Sequence, residues 1–311
     1  MEHPIYFEPK NSTKLFGLQE NFKFLSELYL KKKLPNVLMF TGHKGIGKST
    51  LINHFLFSIF DPSNYNKKKN ILSETSVFFK QFKNNTFSNI IHINGSDFKS
   101  GKVDDIRNLK AKIFQSTISN NDRFIILDDI ELFNMNSLNS LLKIIEEPTK
   151  NNFFFLINNK YKPILQTIKS RALDIKIILK NNTRLSIIKD LVNSFNLNLK
   201  LDPDSTFLTP GDFVKFNHIC NEYDIILTND YLENLSLLLN LYKKNKDILF
   251  INLALFIADY YFGNLKKNKV LDNNKIYKIK NYIFDNLNSF MVYNLNQSTL
   301  LNAISEKLYN E

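Results

Sequence analysis

Between Val37 and about Lys180, short runs of consecutive apolar residues alternate with stretches whose apolar residues recur every three or four positions. The runs are Val37-Leu38-Met39-Phe40, Ile90-Ile91-His92-Ile93, Phe124-Ile125-Ile126-Leu127 and Phe153 to Ile157. Each has the length and character of a strand buried on both faces. The spaced stretches predict helices: Leu51 to Phe60, a second carrying Val103, Ile106, Leu109 and Ile113 on one face, and a third carrying Met135, Leu138, Leu142 and Ile145. Pro148 ends that third helix. Alternation of this kind predicts an α/β domain with a parallel sheet covered on both faces.

Past Lys180 the strand signals fade. Thr183 to Phe195 and Gly211 to Tyr223 predict helices around a loop from Leu201 to Pro210. Four further helices are expected over 229–244, 248–264, 273–292 and 297–309, with Leu235, Leu238, Leu239 and Tyr242 facing a core. The stretch from Asp61 to Asn89 is rich in Asn, Lys and Ser, and predicts a weakly structured surface insertion.

The first strand runs into Gly42-His43-Lys44-Gly45-Ile46-Gly47-Lys48-Ser49, a complete Walker A loop followed by Thr50 and a helix. Strand, glycine loop and helix is the context in which this pattern binds phosphate. Gly42, Gly45 and Gly47 let the backbone approach phosphate oxygens, and the helix N-terminus turns free N–H groups toward negative charge. Lys48 would reach the β/γ-phosphates and Ser49 would hold Mg²⁺. In such sites a second Mg²⁺ ligand is an acid at the end of a neighbouring buried strand, and Asp128 stands there. Asp129 follows where a general base would sit. Its side chain is a methylene shorter than glutamate, so it is either an ill-placed base or a solvated acid at a strand end. Asn158, at another strand tip, could sense the γ-phosphate or be a plain polar strand end.

The formal net charge of +11 suits a partner rich in phosphate. The basic residues are nearly all lysine, with arginine only at 107, 123, 171 and 184, so the charge could equally be diffuse solvated surface. Cys220 is the sole cysteine, which excludes an internal disulfide and a cysteine-based zinc site. The start at Met1-Glu2-His3-Pro4 has no basic region followed by an apolar stretch, so no signal peptide is expected. The most apolar stretch, Ile248 to Phe262, is too short to span a bilayer and predicts a buried helix. A cytoplasmic protein without a membrane partner is expected.

Leu34-Pro35-Asn36 through Ser49, Val103-Asp104-Asp105-Ile106-Arg107 and the stretch from Asp128 to Arg171 together resemble bacterial clamp-loader subunits of the AAA+ class. The closest phrases are Asn139-Ser140-Leu141-Leu142-Lys143-Ile144-Ile145-Glu146-Glu147-Pro148 and Thr167-Ile168-Lys169-Ser170-Arg171-Ala172. They are similar to the N-A-L-L-K-x-L-E-E-P and T-I-x-S-R-C motifs of that family. The resemblance covers about residues 12–178. It implies an α/β AAA+ P-loop domain over 1–178, a small helical lid over 179–226 and an all-α collar for oligomerisation over 227–311.

By the same resemblance, Arg171 would project across a subunit interface as an arginine finger toward a nucleotide held by a neighbour. Its bland alternative is a cap on a helix from Pro163 to Ser170. The implied partners are other clamp-loader subunits of the gamma/tau and delta types, the sliding clamp and primer–template DNA. ATP and Mg²⁺ are possible cofactors, and no zinc is expected. The gamma/tau motor type carries four zinc-binding cysteines, a glutamate where this chain has Asp129, and a lid arginine. Here Gly211-Asp212-Phe213-Val214-Lys215 supplies no arginine. These departures point to a stator-type subunit with weak or absent ATPase activity, the alternative being an active motor subunit.

Overall fold

A computed structural model describes residues 3–98, 111, 122–148, 151–227, 230–267, 273–293 and 295–309. The helix expected around Val103 to Ile113 falls outside the described residues. Five strands form one parallel sheet: β1 (Val37–Thr41), β4 (Ile90–Asn94), β5 (Arg123–Asp128), β6 (Asn152–Asn158) and β7 (Leu173–Lys176). Their order is β4-β5-β6-β1-β7, with a separate two-stranded hairpin of β2 (Tyr65–Asn66) and β3 (Ile71–Leu72). Four of these strands stand where the apolar runs predict them. The fifth, β7, is an exposed edge strand of alternating Leu, Asp, Ile and Lys, too short and polar to stand out in the sequence.

The α/β unit comprises residues 4–195 with 209–212. One face of its sheet is covered by α1 (Gln19–Leu30) and α2 (Lys48–Phe60), where Leu25, Leu51, Ile52, Phe55 and Leu56 are fully buried. The other face is covered by α4 (Met135–Glu146), which contributes Leu138, Leu141, Ile144 and Ile145 to a second core. The amphipathic spacing of that helix makes it a one-sided cover.

The stretch from Asp61 to Asn89 departs from expectation, because it is folded. It contains the β2–β3 hairpin and α3 (Val77–Lys83), whose Phe78, Phe79 and Phe82 are buried. Phe57 of α2 meets all three rings edge-on, the nearest centroid 4.9 Å away at Phe82. The Tyr65 hydroxyl lies 3.1 Å from His54 Nδ1, and burial pushes the imidazole down to about 4, so it packs neutral. Asp61 accepts from Asn64 at 2.9 Å and from the Ser76 hydroxyl, while Ser76 caps α3. Local Asn, Lys and Ser content hid three phenylalanines spaced for one helix face.

Between β6 and β7 the expected Pro163–Ser170 helix shortens to α5, Gln166–Lys169, and α6 (Asn181–Phe195) follows the sheet. The expected loop from Leu201 to Pro210 contains a short helix, α7 (Pro203–Thr206), nucleated by the Asp202 carboxylate accepting from the N–H groups of Asp204 and Ser205. Helix α8 spans Pro210–Glu222.

The second unit comprises residues 1–3, 196–208 and 213–311. Its main body is α9 (Tyr231–Asn245), α10 (Ile248–Lys267), α11 (Asn273–Tyr293) and α12 (Gln297–Tyr309), close to the four helices that periodicity predicts. Leu235, Leu238 and Leu239 are fully buried with Phe250, Ile251, Leu253 and Leu287, whereas Tyr242 is only partly so. Among the described residues no helix is long and apolar enough to cross a membrane.

Candidate functional site

The apolar run Val37–Phe40 buries β1 inside the sheet, between β6 and β7, and delivers Thr41 and Gly42 to its C-terminal edge. There the loop turns on Gly45 and Gly47, whose φ angles of 81° and 96° belong to the left-handed region that suits glycine. A Cβ at Gly45 would lie 2.2 Å from Thr209 Oγ1, so no side chain fits at that bend. The Gly211 N–H donates to the Gly45 carbonyl at 2.8 Å, fastening the first turn of α8 to the loop.

Lys48 opens α2 and is buried, its amine donating to the Gly42 and His43 carbonyls at 2.6 and 2.7 Å. Burial pushes it down to about 8, against the opposing pull of Asp128, Glu131 and Asp129. Ser49 and Thr50 follow in the same first turn. Ser49 and Asp128 line one cavity of about 230 Å³ together with Asn53 and His92. This set suits phosphate and a hard divalent cation: a buried ammonium within a glycine loop, then a hydroxyl and a carboxylate facing one space.

Asp128 ends β5, and the Asp129 N–H donates to its carboxylate at 2.8 Å. Burial raises the Asp128 carboxyl above the usual range, and the charge of Asp129 adds to this. His92, 3.9 Å away, works in the opposite direction. Asn158 ends β6, between β5 and β1. Its amide donates to Thr41 Oγ1 at 3.4 Å and its carbonyl accepts from the Lys160 N–H at 2.9 Å.

Asp129 is no solvated strand-end acid. It is 5% exposed and sits at a φ of 49°. Asn159 Nδ2 donates to its Oδ1 at 2.5 Å, and Lys44 Nζ lies 3.8 Å from its Oδ2. Lys44 also stands over the Tyr161 ring. Burial alone would lower Lys44, but Tyr161, Asp129 and Asp128 outweigh it and raise its affinity for a proton. Beneath this group the buried Glu131 accepts from the N–H groups of Asn159 and Tyr161 at 2.8 and 3.2 Å. Lys44, Glu131, Asn159 and Tyr161 escape sequence reasoning, because nothing local tells a polar residue which distant partners it will meet.

Arg171 stands apart from this group. It follows α5 on the chain, and its Nη1 donates to the Thr167 carbonyl at 2.8 Å and to Ser170 Oγ at 3.3 Å. Its Nη2 lies 2.6 Å from Glu146 Oε1. The helix-capping contact is therefore present, and the guanidinium remains partly exposed.

The glycine loop on an interior parallel strand, with the strand of Asn158 inserted between it and the strand of Asp128, defines an α/β P-loop domain of the AAA+ class followed by helical regions. The chain belongs to the family described as DNA polymerase III, delta subunit, whose model matches residues 17–181. It is 27% identical over 204 residues to the DNA polymerase III subunit delta′ of Buchnera aphidicola subsp. Schizaphis graminum, covering 61% of this chain and 60% of that protein. With the delta′ subunit of Buchnera aphidicola subsp. Baizongia pistaciae the identity is 24% over 301 residues, covering 90% and 87% of the two chains. The DNA polymerase III subunit tau of Bacillus subtilis is 25% identical over 166 residues, which span 53% of this chain and 29% of tau.

Proposed function

We propose that this chain is a stator-type, delta-prime-like subunit of a clamp-loading complex, which helps place a sliding clamp on primed DNA. Its main chemical contribution is Arg171, offered in trans to ATP on a neighbouring gamma/tau-type subunit. A guanidinium arriving at a transferring phosphoryl group stabilises transition-state charge and is worth about 10³–10⁵ in rate. Lys48, Ser49 and Asp128 would hold ATP with Mg²⁺, which would supply charge neutralisation at the phosphates.

The observation that carries this reading is the engagement of Asp129. A base that activates water needs a carboxylate oxygen open to that water, whereas Asp129 is 5% exposed, with one oxygen bonded to Asn159 and the other facing Lys44 at 3.8 Å. Family membership supports partners of the gamma/tau type. The intact glycine loop favours a second reading, an active motor subunit in which Asp129 positions water.

Hydrolysis of ATP by the purified chain, with and without primed DNA, separates the two. The stator reading expects binding with little turnover. DNA-stimulated turnover that Lys48→Ala abolishes would make the chain a motor. In the reconstituted complex, Arg171→Ala should lower DNA-stimulated ATPase and clamp loading while the complex still assembles. An unchanged rate would overturn the role given to Arg171.

A further inference from the structure

We propose that Glu146 is the positioning residue of Arg171, an inference that rests on the stator reading above. Glu146 is the last residue of α4, and Arg171 follows α5; 24 residues of chain separate them, yet their side chains meet at 2.6 Å. Both backbones are anchored from below. Leu141, Ile144 and Ile145 of α4, and Ile164 and Ile168 ahead of Arg171, enter the same apolar core. The two ends of the ion pair are therefore set by packing rather than by the pair itself.

A guanidinium has five N–H donors in one rigid plane. Nη1 is turned toward Thr167 and Ser170 and Nη2 toward Glu146, so contacts from two directions fix that plane. One N–H of Nη2 and that of Nε remain for phosphate oxygens. The side chain is 35% exposed, so this open edge is reachable from outside the subunit. Without Glu146 the guanidinium would pivot about its Nη1 contacts. Donors placed in advance stabilise developing charge without reorganising during the reaction, and a displacement of about 1 Å can cost on the order of a hundredfold. A partly exposed pair restrains less than that, so removing the carboxylate should cost roughly two- to fivefold.

The test is steady-state, DNA-stimulated ATP hydrolysis by the reconstituted complex, with assembly checked by gel filtration. Glu146→Ala should lower kcat with KM for ATP unchanged. Glu146→Gln keeps an acceptor in place and should recover most of the rate. Adding Glu146→Ala to Arg171→Ala should change nothing further, because the carboxylate acts only through the guanidinium. If Arg171→Ala is slow while Glu146→Ala is unchanged or faster, the positioning role is overturned and the stator reading stands. An equal loss from Glu146→Ala in both backgrounds would also overturn it, as damage to fold or assembly. If Arg171→Ala itself has no effect, the stator reading fails and takes this inference with it.

Discussion

Lys48 shows how far a single side chain depends on its surroundings. Its folded-state proton leaves near pH 8, whereas the unfolded chain keeps it to the ordinary 10.5. Between these values the unfolded state binds more protons, so this group's contribution to stability rises with pH from about 8 to 10.5 and is least below 8. The slope approaches about 1.4 kcal/mol per pH unit for one proton. Lys48→Met should remove that slope from denaturation curves collected at pH 7, 9 and 10, and should raise stability at pH 7. Retention of the wild-type slope would show that other groups produce it. The Walker A pattern made Lys48, Ser49 and the glycines legible, since glycine spacing is itself the mechanism. The partners of Asp129 were not legible, because Lys44 and Asn159 reach it from different loops.

At the scale of elements, the insertion between α2 and β4 is tied down by aromatic rings rather than by backbone regularity. Phe57 is fully buried where it meets Phe78, Phe79 and Phe82. Phe57→Ala should destabilise the α/β unit by about 3–5 kcal/mol, read as a shift in the chemical denaturation midpoint. A change under about 1 kcal/mol would mean that the insertion packs loosely. Four apolar strands and the long amphipathic helices were readable because continuous apolar runs and three-to-four spacing each have one good solution. The insertion hides in the sequence because polar composition dominates an average even when three apolar residues align on one face. The edge strand β7 leaves no apolar run in the sequence because pairing along one side is enough to hold a strand with little apolar content.

The whole molecule divides into two units, and the C-terminal helices carry their own core. Leu235, Leu238, Phe250, Ile251, Leu253, Ile283 and Leu287 are all fully buried. We propose that residues 227–311 form a domain that folds by itself. Expressed alone, that segment should be helical by circular dichroism and should melt cooperatively. A gradual, non-cooperative melt would show that its stability is borrowed from the rest of the chain. The positive net charge belongs to this scale too, where it bears on phosphate-rich partners rather than on the fold.

The amino-acid order determined the strand and helix alternation, the phosphate loop and the motifs that mark the family, because each is written within a few neighbouring positions. It also placed Asp128 and Asn158 at strand ends, since a buried strand carries its last polar residue to the sheet edge. Only the tertiary structure decided that Asp129 is buried among Asn159 and Lys44, that the insertion is folded, and that Arg171 is held by Glu146. Those outcomes depend on groups distant in sequence arriving within hydrogen-bond reach, and short-range patterns carry no information about such meetings.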